Sequence, residues 1–118
     1  MKTESKVNSF LPLSETTFFI LLCLSPGPNH GYGIMKSVHE MSGGRITFST
    51  GTLYGALKRL LDQNWIVRIG EGEEKGDESN RSRKEYELTS FGRSILSAEV
   101  SRMKTLVQLS ITVHPEEA

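Results

Sequence analysis

The sequence predicts a mainly α-helical fold with one small β-hairpin, in the order helix, helix, helix, hairpin, long helix. Three observations predict it. Leu53, Leu57, Leu60 and Leu61 recur at the spacing of one helical face. Trp65-Ile66-Val67-Arg68-Ile69, which reads as a strand, and Lys84-Glu85-Tyr86-Glu87-Leu88, which alternates with period two, flank a stretch rich in Gly, Glu, Asp and Ser, so the three read as a hairpin with a long loop. Beyond it, Leu96, Val100, Met103 and Val107 follow in steps of four, three and four, a heptad-like seam. Three helices followed by a two-stranded wing is the winged helix-turn-helix plan, here with one helix added for dimerisation.

Residues 1–11 are mixed and polar and read as a loose N-terminal arm. Residues 12–88 hold the winged helix-turn-helix. Its first helix starts near Leu13, with Ser14 as cap and Glu15 at the positive end. Phe18 to Leu24 is apolar all round, so this helix is central and buried. Pro26-Gly27-Pro28-Asn29 stops it. A second helix starts near His30 or Gly31, buries Ile34, Met35 and Val38, and ends at Ser42-Gly43-Gly44. Arg45-Ile46-Thr47-Phe48 is a short strand or an extended link. Ser49-Thr50-Gly51-Thr52 is the entry to the third helix, and Asn64 its stop. Thr89 caps the last helix, over residues 89–113, and residues 114–118 are a polar tail.

A chain of 118 residues suits one domain with a modest core. Cys23 is the only cysteine, so no internal disulfide forms and a reducing, cytoplasmic setting is expected. Within its apolar run it reads as a core residue. That run is too short to span a membrane and lacks a small-residue cleavage site behind it. Formal net charge is zero. Residues 1–70 carry seven Lys/Arg against four Asp/Glu, and residues 71–118 carry seven against ten. Any nucleic-acid contact therefore depends on local placement of charge. His30, His39 and His114 have no carboxylate or cysteine at ligand spacing, and no serine sits in a nucleophile elbow. Neither a metal site, a cofactor nor an enzyme is expected.

The third helix spends its apolar face on the core. Its other face offers Ser49, Thr50, Gly51 and Thr52 at the N-terminus, then Tyr54, Lys58 and Arg59. In a helix-turn-helix this helix enters the major groove. Short hydroxyls approach bases closely, Gly51 admits a phosphate to the backbone, and the helix N-terminus attracts that anion. Tyr54 and Lys58 offer a hydroxyl and a charge to further phosphates. The wing tip is acidic from Glu71 to Glu78 and turns basic at Arg81, Arg83 and Lys84, which suit phosphate or a narrow minor groove. Read without DNA, Thr52 is a plain cap, Tyr54 packs on a neighbour, and the chain is a winged-helix module that binds protein.

The stretches His30-Gly31-Tyr32-Gly33-Ile34, Ser49-Thr50-Gly51-Thr52-Leu53-Tyr54-Gly55-Ala56-Leu57-Lys58-Arg59-Leu60 and Arg83-Lys84-Glu85-Tyr86-Glu87-Leu88-Thr89, with Gly92, resemble the PadR family of transcriptional regulators, in its short branch with a single C-terminal helix. The resemblance implies a homodimer joined by the helix after the wing, and repression of promoters on double-stranded DNA. In many members a small aromatic or drug-like effector bound near the dimer interface releases the DNA. By position it adds Tyr32 to the DNA-facing set and Arg81 and Arg83 to the wing contacts. Asn64 stands where the family usually has glycine. No aromatic residue follows Phe91 on the last helix, which speaks against an aromatic-stacking site at the seam.

Overall fold

The computed structural model describes residues 2–70 and 84–114. Among these residues, five helices and three short strands follow in the order α1 (Lys2–Asn8), α2 (Glu15–Leu24), β1 (Asn29–His30), α3 (Gly31–Met41), α4 (Thr50–Asp62), β2 (Ile66–Ile69), β3 (Glu85–Leu88) and α5 (Ser90–Val113). Among the described residues no helix is long and apolar enough to cross a membrane.

Capping residues set the helix starts. The side chains of Ser14, Ser49 and Thr89 accept from the N–H of Thr17, Thr52 and Gly92, three residues on in each case, which satisfies donors the helical ladder leaves open. His30 does the same for α3 through Nδ1, which accepts from the Gly33 N–H at 3.0 Å. Residues 45–49 are an extended link without strand pairing. The buried Ser42 hydroxyl holds its start, accepting from the Ile46 N–H at 2.9 Å and donating to the His39 carbonyl. Asn64, with φ 67°, takes the left-handed turn between α4 and β2. Asparagine tolerates that conformation better than most residues with a β-carbon, so it serves where glycine would.

The core lies between the helices and one face of the sheet. Ile20, Leu21 and Leu24 of α2, Ile34 and Val38 of α3, Leu53, Leu57 and Leu60 of α4, Ile66, Leu88 and Ile95 are all buried. Cys23 is partly buried beside them, and desolvation pushes its thiol pKa up to about 12, as for a structural cysteine.

Three sequence expectations need correction. The N-terminal arm is not loose. Its first part is α1, Val7 is buried, and Phe10 meets the rings of Trp65 and Phe91 edge-on at 5.2 and 6.2 Å. Its few apolar residues are held by distant partners, which local polarity does not show. The sheet has three strands rather than two: β1 pairs with β3, Asn29 opposite Tyr86, giving the order β1-β3-β2. Two residues carry no periodicity, and their strand exists because β3 offers an open edge. Leu96, expected at the head of the dimer seam, is 8% exposed and belongs to the chain's own core.

The wing base is locked to α5. Thr89 Oγ1 donates to the carbonyl of Asn64 at 2.7 Å, and the Thr89 N–H donates to the carbonyl of Trp65 at 3.0 Å. Gly92 packs directly on that Trp65 carbonyl, and a β-carbon there would overlap it. Two helical turns further, the buried carboxylate of Glu99 takes two hydrogen bonds from Arg102, at 2.7 and 3.0 Å, and one from the Leu13 N–H at 3.0 Å. Arg102 foremost, then Leu13, holds its pKa below the usual carboxylate value against the opposing effect of burial. This ties α5 to the start of α2.

Candidate nucleic-acid interface

The α4 helix has two unlike sides. Leu53, Ala56, Leu57 and Leu60 are buried, while Ser49, Thr50, Gly51, Thr52, Gly55, Lys58 and Arg59 are exposed. At its N-terminus the Ser49 hydroxyl donates to Thr52 Oγ1 at 2.9 Å while accepting from the Thr52 N–H at 3.1 Å. Thr50 and Gly51 follow with their N–H groups ahead of the helical ladder, the geometry that favours an anion. A β-carbon at Gly51 or Gly55 would meet nothing within 4 Å. The fold itself therefore does not require these glycines, and among the described residues nothing covers this side of α4 at either glycine.

Lys58 Nζ lies 3.4 Å from Asp62 Oδ2, with the two side chains 76% and 67% exposed. A long pair in water is weak and exchanges readily for another anion. Arg45 is differently placed. It forms a fork with Glu15 at 2.6 and 3.3 Å, which joins the link before α4 to the start of α2. The Arg45 hydrogen bond lowers the pKa of Glu15.

Tyr54 does not stand on the open side. It is half-buried against the core, and its hydroxyl occupies the place a β-carbon at Gly31 would take. Gly31 thus lets α4 close on the start of α3. Tyr54 is also near enough to Tyr86 to reinforce burial in raising the Tyr86 pKa, with Arg68 opposing. Tyr32 is 64% exposed on α3. Lys84 is half-exposed where the chain enters β3. Arg81 and Arg83, expected as wing contacts, lie outside the described residues, as does the acidic tip from Glu71 to Glu78. Sequence reasoning passed over Arg68, exposed on β2 opposite Tyr86. It also passed over Lys36 and His39, whose spacing from Tyr32 on α3 was open to inspection.

Of the expected seam residues, Val100 is 37% and Val107 58% exposed, and Met103 is half-buried. Leu106, Leu109, Ile111 and Val113 are exposed further along α5. Phe18 of α2, Val100, Met103 and Val107 line an apolar groove of about 470 Å³.

Residues 20–98, which hold this interface and the Thr89–Gly92 lock, match the transcriptional regulator PadR-like family. The chain belongs to that family. Its members are transcriptional regulators and not enzymes. The solved structures similar to this PadR-like chain include two regulators named for the family. A PadR family transcription regulator from Clostridium difficile R20291 is 27% identical with a TM-score of 0.62, over 85% of this chain and 98% of that one. Bacillus subtilis PadR, solved in complex with operator DNA, is 25% identical with a TM-score of 0.59, over 75% of this chain and 47% of that one. A 37.1 kDa protein in transposon TN4556 of Streptomyces fradiae is 33% identical over 93 residues. The match covers 79% of this chain but only 24% of the length of that curated relative.

Two features of the family resemblance gain a physical reason here. Gly31 and Gly92 are both places where another group packs on the helix backbone, the Tyr54 hydroxyl in one case and the Trp65 carbonyl in the other.

Proposed function

We propose that this PadR-like regulator is a sequence-specific DNA-binding repressor that acts as a homodimer on a pseudo-palindromic operator. One observation carries the reading: among the described residues, the outward side of α4 is open at Gly51 and Gly55, starts at a hydroxyl-rich helix N-terminus, and carries a cation paired with a weak, exposed carboxylate. That is what a helix in the major groove requires. The B. subtilis relative, solved with operator DNA, supports it. In this reading Ser49, Thr50, Gly51 and Thr52 meet bases and the nearest phosphate, Lys58 and Lys84 bind phosphates, and Tyr32 lies beside them on α3. Arg81 and Arg83 extend the contact along the wing. Tyr54 acts by setting the spacing of α3 and α4.

The exposed apolar side of α5, from Val100 through Met103 and Val107, supports pairing with a second copy. The pair would present two α4 helices to successive major grooves, about 34 Å apart. A small-molecule effector would fit the groove beside that seam, where Phe18 supplies the ring that α5 lacks.

Selection of bound duplexes from a random pool, followed by affinity measurements across salt, tests the proposal. Lys58→Ala should weaken binding on all sequences and lower the salt slope by about one. Substitutions at Thr52 should change which site is preferred. If no duplex binds with salt dependence, the chain is instead a winged-helix module for protein partners.

A further inference from the structure

The start of α2 is gripped from two directions. On one side, the buried Glu99 of α5 accepts from the Leu13 N–H at 3.0 Å, and Arg102 holds the same carboxylate at 2.7 and 3.0 Å. On the other, Glu15 accepts the Arg45 fork at 2.6 and 3.3 Å. Ser14, between them, accepts from the Thr17 N–H at 3.1 Å and donates to Thr17 Oγ1 at 3.0 Å, which stiffens the turn. The far end of α2 is also tied to α5, where Arg93 donates to the Ser25 carbonyl at 3.3 Å. Arg45 opens the link to α4. The next residue, Ile46, is held by the Ser42 hydroxyl, Phe48 is buried, and Ser49 caps α4. Three successive residues, 13 to 15, thus join the helix assigned to pairing with the entry to the helix assigned to DNA.

We infer that this turn is a spacing brace, which fixes where α4 stands relative to α5 and so selects the separation between operator half-sites. Glu15, Arg45 and Glu99 are its positioning residues, and they act without touching DNA. In the proposed pair α5 lies at the two-fold axis, so a shift of α4 against α5 counts twice in the distance between the two α4 helices. One base pair is a step of about 3.4 Å along the duplex, so a spacer one pair longer or shorter asks each α4 to move by about 1.7 Å, besides the added rotation. Burial of Leu53 and Leu57 holds α4 to the core, but burial has no preferred direction. Hydrogen bonds have one. A contact such as that of Leu13 with Glu99, at 3.0 Å, is lost once stretched past about 3.5 Å. A slip of one base pair would therefore break the brace at one grip or the other.

This role rests on the proposed DNA-binding dimer, and the test separates the two. Affinities of the full-length protein are measured on a selected duplex, on duplexes with one base pair added or removed between the half-sites, and on a single half-site. Glu15→Gln and Arg45→Gln should each lower the preference for the selected spacing by about two- to fivefold, the range open to an exposed fork. The double variant should lose no more than either single one. The exchanged pair, Glu15→Arg with Arg45→Glu, should recover most of the preference. Affinity for the single half-site should stay at the wild-type value, and melts of these surface variants should match wild type. Glu99→Gln should relax the spacing in the same sense, and if it unfolds the fork variants decide alone. If all variants keep the wild-type spacing preference, the brace is overturned and the dimer stands. If Arg45→Gln weakens binding at every spacing and on the half-site while Glu15→Gln does not, Arg45 is a phosphate contact and the brace is again overturned. If the wild-type chain shows no spacing preference, dimer and brace fall together.

Discussion

A β-carbon at Gly92 would run into the Trp65 carbonyl, a backbone atom pinned by the hydrogen bond from the Thr89 N–H at 3.0 Å. It has nowhere to move without parting β2 from α5. A β-carbon at Gly55, mid-way along α4, would meet nothing. The same substitution should therefore have opposite signs at the two sites. Gly92→Ala should destabilise by about 1–3 kcal/mol through overpacking. Gly55→Ala should stabilise by roughly 0.5–1 kcal/mol, the gain in helix propensity at an exposed position. Urea denaturation of the two variants checks both. Equal effects would mean that the lock at the wing base is looser than described. At the same scale, Trp65 is buried and, among the described residues, its indole N–H has no hydrogen-bond partner. Its ring is held by packing, edge-on to Phe10.

The elements were legible where local signals and apolar spacing agree. Ser14, Ser49 and Thr89 announced helix starts as hydroxyl residues ahead of periodic runs, and each accepts a first-turn N–H. The open side of α4 followed from the leucines on its other side. What stayed hidden depends on distant contacts. The α1 helix is held by what lies beneath Val7 and Phe10, and β1 by the edge of β3. Tyr54 looked like a surface hydroxyl because Gly31, its partner, is more than twenty residues away. Glu99 read as one more charged residue on a long helix, yet it is 2% exposed and joins α5 to Leu13. Its pKa is lowered in the fold, so the stability it contributes is present above the ordinary carboxylate value of 4.5 and is lost as pH falls through the folded value. Glu99→Gln should accordingly cost about 1–3 kcal/mol at pH 7, and much less near pH 3. Denaturation at both values measures the gap. A gap that does not depend on pH would show that the carboxylate's charge is not what holds Leu13.

For the whole molecule, the dimensions of 57 × 36 × 22 Å reflect one helix running well past a compact body. Residues 104–113 of α5 are all exposed, five large apolar side chains among them. A solitary helix with that surface is costly in water, and a second copy is the proposed cover. Replacing Val100 by Glu and Met103 by Lys should give monomers by analytical ultracentrifugation, with much weaker affinity for a selected duplex. Dimers that persist at micromolar concentration would move the seam elsewhere. Leu96 should be left out of such a test, since it is buried in the chain's own core and its loss would unfold the body.

Only Thr89 separates the last residue of β3 from the first of α5, and its side chain and backbone N–H are both committed to the wing base. Strand and helix therefore share one rigid corner with no slack to absorb a twist. In the proposed pair, a change in the angle at which the two α5 rods cross would swing each wing like the blade of a pair of shears, so the aperture between the two reading heads is set at their pivot.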